Sequence, residues 1–125
     1  MSNPWFRCYP GDFLGGLAGL TTDEQAFYVQ LVLRMYDSAD AIYADDRRIA
    51  RWCGSNTRKW TRERQALIDD GKLADLSDGG LINRRALEEM RKGSDHLPAV
   101  VKSRLDKLSR MFDESFGKVS SNISQ

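Results

Sequence analysis

The sequence predicts a mostly α-helical chain with one small β-hairpin, arranged as a winged helix-turn-helix with an additional C-terminal helix. Three observations predict it. Apolar residues recur at helical spacing between Thr22 and Ala39. Two shorter helical stretches follow, separated by Gly54. The alternating segment Lys72-Leu73-Ala74-Asp75-Leu76 then turns at Ser77-Asp78-Gly79-Gly80 and returns through Leu81-Ile82-Asn83-Arg84.

The first twenty residues read as irregular, because Pro4, Pro10, Gly11, Gly15 and Gly16 argue against a long regular element. Trp5, Phe6, Tyr9, Phe13 and Leu14 lie among them, so the segment is expected to fold against the domain as an aromatic arm. Base stacking on exposed rings is the functional alternative.

The first long helix is expected from Thr22 to about Ala39, with Thr22 as cap and Gln25 completing a capping box. Tyr28, Leu31, Val32, Met35, Tyr36 and Ala39 share one face, and Phe27, Val29 and Leu33 add apolar surface elsewhere. A helix apolar over more than half its circumference is central to a core or shared with a partner. A short second helix starts at Ala44-Asp45-Asp46, turns Ile49, Ala50 and Cys53 inward and stops at Gly54. Ser55 is expected to cap a third helix running from Asn56 to about Asp69, closed by Asp70-Gly71. After the hairpin, helix resumes from Arg85 to Lys92 and breaks at Gly93. Beyond Pro98, Val101, Leu105, Leu108 and Phe112 form a seam of under two heptads, which suits either packing on the domain or dimerisation. The expected division is therefore a winged-helix domain with its N-terminal arm over 1–92, a C-terminal helix over 93–119 and a disordered tail or linker over 120–125.

Charge locates the functional face. From Gly11 to Asp46 seven acids stand against one base, whereas from Arg47 to Arg64 seven bases stand against one acid. A local basic patch on a chain of net charge +1 is the footprint of an anionic partner. With Trp60 at zero and 100° per residue, Leu67 falls at about −20°, Thr57 at about 60° and Ile68 at about 80°, the inward side. Gln65 falls at about 140°, Arg58 at about 160°, Arg62 at about 200° and Lys59 at about 260°, the outward side. These side chains can reach guanine, adenine or phosphate. Asn56 lies at the helix N-terminus, where backbone N–H groups favour phosphate, and Thr61 lies on the same helix. Arg64 points closer to the core. Arg47, Arg48 and Arg51 on the preceding helix, and Lys72, Arg84 and Arg85 around the hairpin, are expected flanking contacts. Asp75 and Asp78 in the hairpin argue against a phosphate contact at its tip.

Other function classes fit less well. The one histidine, His96, sits beside a predicted helix break, and Gly11–Gly16 lacks the Lys-Ser/Thr of a phosphate loop. Cys8 and Cys53 have no metal-ligand spacing and suit a reducing compartment. The start lacks the pattern of a secretion signal, and apolar runs are far too short for a membrane span. The expectation is a cytoplasmic protein that is not an enzyme and uses no cofactor or metal.

Trp5, Tyr9-Pro10-Gly11-Asp12-Phe13, Leu20-Thr21, Glu24 and Ala26-Phe27-Tyr28 form a recognisable pattern. It continues through Asp45-Asp46, Ala50, Cys53-Gly54, Arg58-Lys59-Trp60, Leu67, Gly71-Lys72 and Asn83-Arg84-Arg85-Ala86. Over residues 4–90 the chain resembles the YdaU-like family of bacterial prophage proteins. That resemblance implies a place near phage replication genes, in replication initiation or helicase loading, and carries no catalytic residues. The leading expectation is a double-stranded-DNA-binding module acting in replication or transcriptional regulation. The alternative is a protein-interaction module of a phage replication or regulatory complex, docking on a helicase or loader. A homodimer, built through the first long helix or the Val101–Phe112 seam, is compatible with both.

Overall fold

The structure, a computed structural model, describes residues 10–123, with side chains for 11 and 13–115. Its first element departs from expectation. Pro10–Leu17 is a helix (α1), not an irregular arm. Proline suits a helix start, where its missing N–H loses no intrahelical bond. Glycine at position 16 then lets α1 close over its neighbour, since a Cβ there would lie 2.5 Å from the Tyr28 hydroxyl. Phe13 is half-buried and meets the Tyr28 ring edge-on at 6.1 Å, so this part of the arm does pack on the domain. Leu14 remains 65% exposed. Trp5, Phe6 and Tyr9, expected in the same aromatic arm, lie outside the described residues.

The long helix α2 spans Thr22–Ser38. Its cap is Thr21, one residue earlier than predicted. The Thr21 hydroxyl accepts from Glu24 N, and Glu24 Oε1 accepts from Thr21 N, both at 3.1 Å. Glutamate suits the third helical position of a capping box as well as glutamine does, which is why spacing alone misplaced the register. The Thr21 bonds hold the Glu24 carboxyl below its usual range. Ala39 ends the helix in the left-handed region, φ 54°. Phe27, Tyr28, Leu31, Val32 and Met35 are buried, and Leu33 stays half exposed.

Beyond Ala39 lies a strand residue absent from the prediction. Ile42 exchanges both backbone hydrogen bonds with Leu81, each 2.9 Å. Helix α3, Asp46–Trp52, is capped by Asp45 as expected, and Ile49 and Ala50 are buried. Gly54 takes φ 66°, a conformation open to glycine at little cost, and the chain turns into α4, Thr57–Asp69. The α4 cap is Asn56, not Ser55: its Oδ1 accepts from Lys59 N at 2.8 Å. Trp60 is fully buried against Phe27, ring centroids 5.1 Å apart. Its indole N–H donates to Asp46 Oδ1 at 2.8 Å, tying α3 to α4.

The hairpin is shorter than the alternation suggested. Strands β1, Ala74–Asp75, and β2, Leu81–Ile82, pair antiparallel with Ala74 opposite Ile82 and Asp75 opposite Leu81. Asn83 and Arg84, read as strand residues, instead start α5, Arg84–Lys92. The buried Asn83 caps it by accepting from Ala86 N, and its amide donates to Lys72 O, both at 2.8 Å. A short 3₁₀ turn, Ser94–His96, leads into α6, Ala99–Ile123. Leu105 and Leu108 are fully buried in the same core as α2 and α4, so the seam packs on its own domain. The helix runs past residue 119 to Ile123, into the stretch whose composition predicts a disordered tail or linker. Among the described residues the fold is thus mostly helical with a two-stranded antiparallel sheet.

Candidate nucleic-acid interface

Burial of Trp60 and Leu67 fixes which side of α4 faces out. Arg58, Thr61, Arg62 and Gln65 are exposed, as the helical period requires, and so is Thr57, which the wheel had placed inward. Thr57 is the first residue of α4, at the edge of the inward face. On α3, burial of Ile49 and Ala50 leaves Arg47, Arg48 and Arg51 exposed.

The hydrogen bonds and ion pairs separate these candidates sharply. Asn56 spends its side-chain oxygen on the helix cap. Lys59 is held by Asp23 of α2 at 3.0 Å and is only partly exposed. Thr61 donates back to Arg58 O at 3.0 Å. Gln65 donates to Asp69 Oδ1 at 2.9 Å, and Arg62 lies 3.5 Å from Glu63. Among the described residues, no carboxylate pairs with Arg47, Arg48, Arg51 or Arg58. Every one of these four is exposed, so each guanidinium is available to an outside anion.

The remaining three candidates lie elsewhere. Lys72, Arg84 and Arg85 line a cleft of about 330 Å³ with Gly16, Tyr28 and Glu88. Lys72 follows the C-terminal end of α4, whereas Arg58 sits in its first turn. Thirteen helical residues separate such ends by about 20 Å. The twelve predicted contacts therefore form two groups. Arg84 is paired with Glu88 at 3.1 Å across one turn of α5.

The hairpin acids are engaged within the fold. Asp75 pairs with Arg64. Asp78 accepts from the Tyr43 hydroxyl at 2.8 Å and from Gly80 N at 3.2 Å. Arg104 of α6 donates to Asp40 Oδ1 at 3.1 Å and to the Tyr43 hydroxyl. Burial and the Asp78 bond push the Tyr43 hydroxyl up to about 12. The Asp78 carboxyl falls below its usual range, the Tyr43 and Gly80 hydrogen bonds outweighing the effect of desolvation. Ser115 of α6 also donates to Asp75 O at 3.0 Å.

Sequence reasoning missed three features. The Arg34 guanidinium lies 4.0 Å over the Trp52 ring. Asp23 captures Lys59, and Asp46 takes the Trp60 indole. Only the last carried a signal, since a tryptophan placed in the core needs a partner for its N–H. Cys53 is half-buried and its thiol is pushed up by burial, opposite to what a reactive cysteine needs. Among the described residues, no cluster of three metal-ligating side chains occurs, and no helix is long and apolar enough to cross a membrane.

No curated protein and no solved structure matches the chain. One family does, described as "Protein of unknown function (DUF1376)", over residues 4–91. That span takes in α1 through α5, to within its last residue, and leaves out all of α6. The chain, with both of its basic groups inside the matched span, belongs to this family.

Proposed function

We propose that the chain is a winged-helix module that binds double-stranded DNA through α3 and the exposed face of α4. One observation carries the reading: Arg47, Arg48, Arg51 and Arg58 are exposed and, among the described residues, have no carboxylate partner. Unpaired arginines on two helices in contact carry a cost in self-repulsion, which a polyanion relieves. The order of elements supports it. Helix, helix, turn, helix and hairpin is the order of the winged-helix plan, and an isolated bridge joins Ile42 to the hairpin at Leu81. In that plan α4 enters the major groove with its N-terminal residues leading, which puts Arg58 and Arg62 against base edges. Arg47, Arg48 and Arg51 take the flanking phosphates, supplying affinity without sequence information. The hairpin acids are already bound to Arg64 and Tyr43, so the wing contributes no phosphate contact at its tip. Within this proposal the role is replication initiation or transcriptional regulation, which the resemblance to prophage proteins favours.

The test is fluorescence anisotropy with mixed-sequence duplex DNA at two salt concentrations. Wild type is expected to bind at low salt and to weaken steeply as salt rises, by a slope of about 0.9 per phosphate contact. Absence of binding at low salt overturns the reading. A helicase or loader bound through the same arginines then becomes the reading to pursue.

A further inference from the structure

Duplex binding as proposed uses arginines of α3 and α4 and none of α2, yet α2 brings one to the end of α3. The Arg34 guanidinium lies 4.0 Å over the ring of Trp52, the last residue of α3. Burial pushes the Cys53 thiol up and the Arg34 charge pulls against it, which places that charge close to the α3 terminus. Arg48 stands one turn before Trp52 on the same side of α3, and Arg51 directly precedes it. Arg58 follows beyond the Gly54 turn, in the first turn of α4.

Arg34 is held in place without being neutralised. Its Nε is buried and has no hydrogen-bond partner. Among the described residues no carboxylate pairs with the guanidinium, and that includes Asp37, three residues on. The side chain is only half-buried, and its two terminal nitrogens are not shut from solvent as Nε is. A buried N–H without an acceptor is destabilising, and an aliphatic side chain would cover the Trp52 ring without that cost. What only arginine supplies here is a planar cation whose face is fixed by the ring and whose outer edge stays open.

We propose that Arg34, clamped on Trp52, binds one backbone phosphate of the duplex end-on through Nη1 and Nη2. This rests on the α3–α4 reading and extends its footprint to a third helix. Phosphate oxygens are the acceptors that the guanidinium lacks within the fold, and two parallel charge-assisted bonds suit its fork. Stacking has already fixed the plane of the group, so less side-chain freedom is lost on binding than at a free surface arginine. The contact reads no base, so it strengthens binding equally on every sequence.

The experiment measures duplex affinity of the full chain by anisotropy across a series of salt concentrations, with urea unfolding of each variant alongside. Arg34→Gln is expected to weaken binding about tenfold at low salt and to reduce the salt slope by about 0.9, the loss of one phosphate contact. Arg34→Lys keeps the charge but neither forks nor stacks in the same way, and is expected to weaken binding about threefold with the slope intact. Lys107→Gln, which removes an exposed cation on α6, is expected to bind as wild type does. A role confined to packing on Trp52 would lower the urea midpoint of Arg34→Gln and leave its salt slope at the wild-type value, and that result overturns the proposal. Should Arg34→Gln fail to fold, Arg34→Lys carries the test, and binding equal to wild type overturns the proposal. Wild type that binds while Arg34→Gln matches it in affinity and slope overturns this contact alone. Wild type that does not bind duplex at low salt overturns the α3–α4 reading and this contact together.

Discussion

The α3–α4 side and the α6–hairpin side carry similar side chains, but more of those on the second are tied to acids of the fold. Around α6, Arg104 is bonded to Asp40 and Tyr43, Arg91 to Asp106, Lys102 to Asp95, and Tyr43 passes the connection on to Asp78. On α3 and the first turn of α4, four exposed arginines go without a partner among the described residues. Exposed ion pairs add little to stability, about 0–1 kcal/mol each, so pairing everywhere would cost the fold nothing. A basic face left unpaired is therefore informative where a basic face laced with carboxylates is not.

The largest expected effect tests whether α6 belongs to the fold. Leu105→Ala removes a fully buried side chain and is expected to destabilise by about 2–5 kcal/mol in urea unfolding. A cost under about 0.5 kcal/mol would mean that α6 is only loosely attached. Next, Arg47→Ala with Arg48→Ala and Arg58→Ala is expected to leave the urea midpoint within about 0.5 kcal/mol of wild type. The same triple variant is expected to flatten the salt dependence of duplex binding by about 0.9 per lost phosphate contact. Equal losses of stability and binding would erase the contrast between the two faces.

Smaller effects sharpen it. Trp60→Phe keeps most of the ring but frees Asp46, and is expected to cost about 0.5–1.5 kcal/mol by chemical denaturation for the lost hydrogen bond. On the α6 side, Tyr43 holds its proton to about 12, above the ordinary 10. A phenol whose folded pKa is raised lends stability that is complete below the ordinary value and is lost as pH climbs through the folded one. Melting temperature is expected to fall across that alkaline window, and Tyr43→Phe to flatten the fall. Smallest of all, Asp23→Ala releases Lys59 and is expected to tighten duplex binding by no more than about 1 kcal/mol, read by anisotropy at low salt.

The sequence made the helical parts legible because period and caps are local. Asp45, Gly54, Gly71 and Gly93 mark element ends where the composition placed them. Thr21 and Asn56 displaced the predicted caps by one residue, since each has a capping neighbour of nearly equal merit. The α1 helix was hidden by its glycines, whose role becomes visible only when Tyr28 is set against Gly16. Ile42 could not be read as a strand residue, because its partner lies far along the chain. Of the candidate site, the exposed side of α4 was legible from the position of Trp60. Which basic side chains are already occupied was not, because Asp23 and Asp75 reach them from other elements.

The Ile42–Leu81 bridge has a consequence for how the chain reaches this state. Its two hydrogen bonds close a loop of roughly forty residues that contains all of α3, α4 and the hairpin turn. Closing such a loop has an entropic cost that grows only logarithmically with its length, so insertions at the exposed turn Ser77–Gly79 are tolerated far better than a break in the bridge itself. The basic helices thus fold as the contents of a closed ring, and the amides of Ile42 and Leu81 are the clasp whose hydrogen exchange reports when that ring opens.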